Sequence, residues 1–114
     1  MKLVFVSIND NSDVANGTSL QGHITAAYKD LVAVFGPPGC GGDGHKTDVE
    51  WVIVFDDGTV ATIYNWKNGR NYCGASGKPV EMITYWNVGG HNSKAVAQVM
   101  ATLLKYIKVD ATST

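Results

Sequence analysis

Between Glu50 and Lys67 the chain reads EWVIVFDDGTVATIYNWK, two apolar runs on either side of Asp57-Gly58. In the first run Trp51, Ile53 and Phe55 fall on one side, with Val52 and Val54 on the other. That pattern predicts a strand over Asp48–Phe55 that is covered on both faces. In the second, Val60, Thr62, Tyr64 and Trp66 alternate with Ala61 and Ile63, which predicts a partner strand over Thr59–Trp66. Asp-Gly between alternating runs is a strong hairpin signal, and a type I′ turn with positive φ at both residues is expected. The hairpin should form the centre of a sheet.

The other periodic segments build around it. Lys2–Ile8 is rich in Leu, Val, Phe and Ile and reads as a buried strand. Thr18-Ser19-Leu20-Gln21 has the form of a capping box. From it Leu20, Ile24, Ala27, Tyr28, Leu31, Val34 and Phe35 recur at helical spacing, up to a stop at Gly36-Pro37-Pro38. Val80–Val88 supplies a last strand, and Gly89-Gly90-His91-Asn92-Ser93 breaks it, with Asn92 or Ser93 as N-cap. Val96, Val99, Met100, Leu103, Leu104 and Ile107 form the stripe of a final helix, with Lys105 and Lys108 near its C-terminal end. The order is β-α-β-β-β-α. It predicts an α+β fold: a single-layer, mostly antiparallel four-stranded sheet with two helices on one face. Residues 1–114 form one globular domain, with loops at 9–17, 36–47 and 67–79 and a frayed tail at 109–114.

Composition narrows the function classes. A chain of 114 residues can bury roughly 65% of its unfolded surface as one domain. Its hydrophobic content of 45% excludes a mainly disordered protein. With a formal charge of −1 and singly scattered basic residues, direct nucleic-acid binding is not expected. No apolar run approaches the ~20 residues of a membrane span. Lys2–Ile8 is too short for a signal-peptide core, so an intracellular setting is expected, with Cys40 and Cys73 as reduced thiols.

The glycine-rich stretch Gly39–Lys46 imitates a phosphate-binding loop. However, His45 intervenes before the lysine, and the loop follows a helix instead of preceding one, so it reads as a connection. Three other groups are candidates for chemistry. Asn65, Trp66 and Lys67 with Arg70, Tyr72 and Lys78 place aromatic surface beside cations, suited to a planar or anionic ligand or to a protein hot spot. The plain alternative is Trp66 capping the core while the cations stay solvated. Trp86 and Asn87 lead into Gly89, Gly90, His91, Asn92 and Lys94. There two glycines running into a helix N-terminus would free backbone N–H groups for an anion, which would also offset the unfavourable Lys94. The alternative is a capped helix with Lys94 tolerated. His23, His45 and His91 are unpaired at ligand spacing, so no metal or cofactor is expected. Neither cysteine has a catalytic context and no carboxylate pair stands out, so no catalytic residues are assigned and an enzyme is not expected.

Taken together, Ser19-Leu20-Gln21-Gly22, Phe35-Gly36-Pro37, Trp51–Lys67 and Trp86-Asn87-Val88-Gly89-Gly90-His91 resemble a group of small proteins of tailed bacteriophages, over roughly residues 18–104. A looser similarity, helix then Gly-Pro then hairpin, is to the beta-lactamase-inhibitor-protein and outer-membrane-assembly-lipoprotein fold. It implies only a layer architecture, since the export signal and lipid-anchoring cysteine of those families are not found. The phage resemblance implies a stoichiometric, non-catalytic anti-defence protein in the host cell cytoplasm, an anti-CRISPR-like inhibitor of a host immune protein. It would bind through Asn65, Trp66, Lys67 and Arg70, with Trp86 and His91 nearby. The alternatives are a sponge for an anionic nucleotide messenger, held between Gly89–Lys94 and Lys67 or Arg70, and a self-assembling phage component that forms a homo-oligomer.

Overall fold

A computed structural model describes residues 5–7, 16–40, 48–66, 69 and 73–113. The chain is α+β. Strand β1 (Phe5–Ser7) is followed by β2 (Ser19–Thr25), helix α1 (Tyr28–Phe35) and a two-residue strand β3 (Gly39–Cys40). The hairpin β4 (Val49–Phe55) and β5 (Val60–Tyr64) comes next, then two single 3-10 turns at Gly74–Ser76 and Val80–Met82. Strand β6 (Tyr85–Gly90) and the long helix α2 (Lys94–Ser113) complete the fold. Among the described residues no helix is long and apolar enough to cross a membrane.

All strand pairs are antiparallel, in the order β1-β4-β5-β6-β2. β1 and β3 share the outer edge of β4, β1 against Ile53–Phe55 and β3 against Val49–Glu50. The α+β class, the antiparallel sheet with the hairpin inside it, and the sequence of strand, helix, hairpin, strand and helix agree with the amino-acid pattern. Register puts Trp51 opposite Ile63, Ile63 opposite Val88, and Trp86 opposite Ile24. These residues share one face, and Leu31 and Phe35 of α1 and Ala95, Val99 and Leu103 of α2 close the core on it. Both helices therefore cover the same side. On the other side Val52, Val60 and Thr62 are also buried, as a strand covered on both faces requires.

Four local expectations are corrected. The helical pattern from Leu20 is carried by two elements: Ser19–Thr25 is strand β2, and only Tyr28–Phe35 is helical. Pairing along β6 wins over a helix whose first turn would hold Gly22, and whose Ile24 and Thr25 are β-branched. The hairpin turn is a three-residue loop in which Gly58 alone supplies the left-handed step (φ +90°). Its N–H bonds Phe55 O at 2.9 Å, and Phe55 N–H bonds Thr59 O at 2.8 Å. The last strand begins only at Tyr85, because Pro79 (φ −59°) leads Val80–Met82 into a 3-10 turn. Finally, the strand does not break at Gly89-Gly90 but runs through both.

That last difference has a steric cause. Gly90 pairs with Ala61 on one side and Ser19 on the other, and Gly89 with Thr62 and Leu20. A Cβ on Gly90 would collide with Ala95 Cβ, and one on Gly89 would lie 2.5 Å from Thr62 Oγ1. At Gly22 a Cβ would press on Val96 Cγ2 at 3.1 Å. Glycine at 90 and 22 lets the first turn of α2 lie directly on the backbone of β6 and β2, and glycine at 89 makes room for Thr62 on the opposite face.

Candidate functional site

The face of the sheet away from the helices carries a concave patch. Tyr64 of β5 and Asn87 and Tyr85 of β6 project from it. So do Leu20 and His23 of β2, and Trp66 just beyond the end of β5. Together they line a groove of about 540 Å³. Antiparallel register places these groups side by side: Tyr64 is opposite Asn87, and Asn87 is opposite His23. His23 and Tyr85 stack nearly parallel, 16° apart with centroids separated by 4.9 Å. On the other wall Tyr64 and Trp66 meet edge to face at 6.3 Å. Leu20, Trp66 and Tyr85 remain 51%, 41% and 54% exposed.

Burial pushes the Tyr64 phenol above its ordinary 10.0; the hydrogen bond with Asn87 opposes the rise, and the Glu50 carboxylate across the hairpin reinforces it. Tyr64 is consequently neutral at physiological pH. Among the described residues the lining thus offers flat rings, one aliphatic side chain and a few hydrogen-bonding groups, the imidazole of His23 among them. Such a surface suits an uncharged planar or apolar group with a polar edge. Among the described residues no three His, Cys, Asp or Glu side chains converge as metal ligands.

The residues singled out from sequence separate into different places. Trp66 belongs to the groove. Its neighbour Asn65 is fully buried and belongs to the framework. Its Oδ1 accepts the backbone N–H of Asp48 (2.8 Å) and Val49 (3.2 Å), and its Nδ2 donates to Asp48 Oδ1 (3.1 Å). Trp86 is fully buried on the helix-covered face and donates its indole N–H to Ala26 O at 2.9 Å, so it offers no surface to a partner. Lys67, Arg70 and Tyr72 lie outside the described residues, as do His45 and the loop 41–47. Lys78 is exposed and bridges Gly69, and Cys73 is exposed.

The expected anion cradle at Gly89–Lys94 is not formed. Both glycines sit in a strand paired on both sides, so their N–H groups belong to the ladder. Asn92 caps α2, its Oδ1 accepting the Lys94 N–H at 3.0 Å. The anion that offsets Lys94 comes from the chain itself. Asp57 of the hairpin loop reaches across, its Oδ2 3.3 Å from Lys94 Nζ and 3.0 Å from Gln98 Nε2. The Thr59 N–H bond to Oδ1 (3.0 Å) chiefly, with Gln98 and Lys94, holds the Asp57 carboxyl far below the usual range. His91 is exposed and packs beside Gly17. His91, Asn92 and Lys94 border a small depression with Asp57 and Val60. Trp66 and His91 lie at opposite ends of the β5–β6 pair, about 20 Å apart at a strand rise of ~3.3 Å per residue. The two constellations are not one site.

Sequence reasoning assigned Leu20, Tyr64 and Tyr85 to no site, and named His23 and Asn87 only in other groupings. The signal that could have found them is parity: Tyr64 and Trp66 alternate against core Ala61 and Ile63, and Tyr85 and Asn87 against core Trp86 and Val88. Compared with known proteins, the chain matches no family model, no characterised protein and no solved structure at a significant level. Fold and groove define a class by themselves, a small α+β domain with one helix-covered face and one open aromatic face.

Proposed function

We propose that the chain acts by binding and not by catalysis, as a stoichiometric inhibitor that docks a partner protein on the open face of its sheet. The observation that carries this reading is the convergence of Trp66, Tyr85, Tyr64, His23 and Leu20 on one concavity. Aromatic side chains fixed on strands lose little freedom on contact and are the usual anchors of protein interfaces. The partner is a host immune protein in the host cytoplasm, the expectation drawn from the resemblance to small tailed-phage proteins.

Tagged protein recovered from infected cells and weighed by native mass spectrometry tests it. A complex with one host protein is expected, and it should disappear with Trp66→Ala and with Tyr85→Ala. A complex that survives both substitutions places the contact elsewhere and overturns the reading.

The groove volume also falls within the range of small-molecule sites, and its walls suit a nucleobase, which keeps the nucleotide sponge as a second reading. It is the weaker one, because Lys94 is paired with Asp57 at the far end of the sheet. A rise in melting temperature with cyclic nucleotides, abolished by Trp66→Ala, would favour it over the inhibitor.

A further inference from the structure

β2 is the last strand of the sheet, and among the described residues no strand pairs with its outer edge. Ala26 N–H bonds Thr84 O toward β6. By antiparallel alternation Ile24 also turns toward β6, while His23 and Thr25 point their N–H and C=O groups outward. An open edge of this kind is normally blunted by Lys or Pro. Ser19–Thr25 contains neither and carries no carboxylate.

Directly beside that edge, α2 is apolar where a solvated helix would be charged. From Ala95 to Leu104 it has no charged residue, and of its two polar side chains Thr102 is buried and Gln98 is half-buried. Met100 and Leu104 stand 45% and 61% exposed. With Leu103 they form one wall of a groove of about 390 Å³ whose other wall is His23–Ala26 of β2. A helix apolar on all sides is normally covered on all sides.

We propose that this chain forms a two-fold dimer in which β2 pairs antiparallel with β2 of a second copy. A two-fold axis perpendicular to the sheet at Ile24 sets His23 of each copy against Thr25 of the other. It also brings both α2 helices to the same side, where Met100 and Leu104 meet their counterparts. One symmetry operation thus satisfies the open strand edge and the apolar helix stripe together, as an isologous contact must. A bound peptide strand would occupy only the first. The edge carries no Lys, Arg, Asp or Glu, so two copies approach without opposition between fixed like charges. One short strand edge and one helix stripe per copy make a contact at the lower end of specific interfaces, so the dimer is concentration-dependent. The two-fold operation uses the same edge of both copies and so closes the contact, and the irregularity in β2 between Leu20 and Gly22 limits its length. The contact borders the groove at His23, whose backbone faces the second copy while its ring lines the groove. Trp66 stands on the opposite wall, outside the contact, so Trp66→Ala tests partner binding without touching the dimer.

Sedimentation equilibrium of the full chain over a wide concentration range tests the proposal. The mass should rise from 12.2 kDa toward twice that value. Thr25→Pro removes an outward N–H, and Leu104→Glu sets two carboxylates against each other across the axis; each should weaken association on the order of tenfold or more. Trp66→Ala should leave it unchanged. If Thr25→Pro fails to fold, Leu104→Glu decides. A monomer at every concentration overturns the proposal, even one that binds an extended peptide. So does a dimer indifferent to Leu104→Glu.

Discussion

Trp51 and Trp86 meet edge to face in the core, centroids 5.4 Å apart at 81°, and hold α1 at both ends. Trp86 Nε1 donates to Ala26 O just before the helix, and Trp51 Nε1 donates to Gly36 O (2.7 Å) just after it. Neither ring has exposed surface. A helix as short as Tyr28–Phe35 is not stable alone, and here its two ends are tied to adjacent rings of the sheet.

Replacing either ring by phenylalanine keeps much of the apolar contact but takes the donor from a part-buried carbonyl. Trp86→Phe should therefore lower unfolding free energy by about 1–3 kcal/mol, and Trp86→Ala by about 3–5 kcal/mol. Urea denaturation followed by tryptophan fluorescence measures both. A loss of only a few tenths from Trp86→Ala would mean that this ring is not the core element described.

The glycines of β6 make a second, opposite test. Gly90→Ala adds a single methyl where Ala95 Cβ already lies, and Gly89→Ala one where Thr62 Oγ1 lies. Each should destabilise by about 1–3 kcal/mol through overpacking. Combining Gly90→Ala with Ala95→Gly should recover part of that loss, despite the cost of about 1 kcal/mol for glycine in a helix. An anion site at this corner would predict no such rescue.

How much of this was legible follows from the range of the interactions. The hairpin β4–β5 is a local periodicity, and its elements and faces agree with the pattern; the stripe of α2 gives the helix and its buried Val99 and Leu103, but Met100 and Leu104 of the same stripe stand exposed. β2 was not legible, because Leu20 and Ile24 are spaced for a helix, and only pairing with β6, which puts Ile24 in the core and Leu20 on the open face, decides. Losing β2 also hid the groove, since Leu20 and His23 form one of its walls. The glycine pair and Lys94 suggested an anion site because their true partners, Ala95, Thr62 and Asp57, come from other elements. Trp66 was legible because it ends a strand whose alternation puts it on the outer face.

Asp57 gives the pH dependence a sign. Its carboxyl titrates well below the ordinary 3.8 in the folded chain, chiefly through the Thr59 N–H bond, so it favours the folded state while ionised. That contribution is complete above the unfolded value and is lost as pH falls through the folded one. Asp57→Asn should therefore be less stable than the parent chain at pH 7, with the gap closing as the pH drops below about 4. Thermal melts of both proteins across that range check it; a gap that persists unchanged at the acid end would assign the difference to packing.

Trp66 and Asn65 are adjacent in sequence and opposite in consequence, which makes them the sharpest test of the groove. Asn65 is buried, and its amide satisfies two backbone donors, so Asn65→Ala leaves Asp48 and Val49 N–H groups unpaired. It should cost about 1–3 kcal/mol of stability and weaken binding only through unfolding. Trp66 stands 41% exposed beside Tyr64, so Trp66→Ala should cost less than about 1 kcal/mol while removing most partner affinity. Thermal unfolding and binding, measured on both variants, separate the two roles. If Trp66→Ala instead collapses the melting temperature as Asn65→Ala does, the aromatic wall is part of the core. The open face would then have no anchor for a partner.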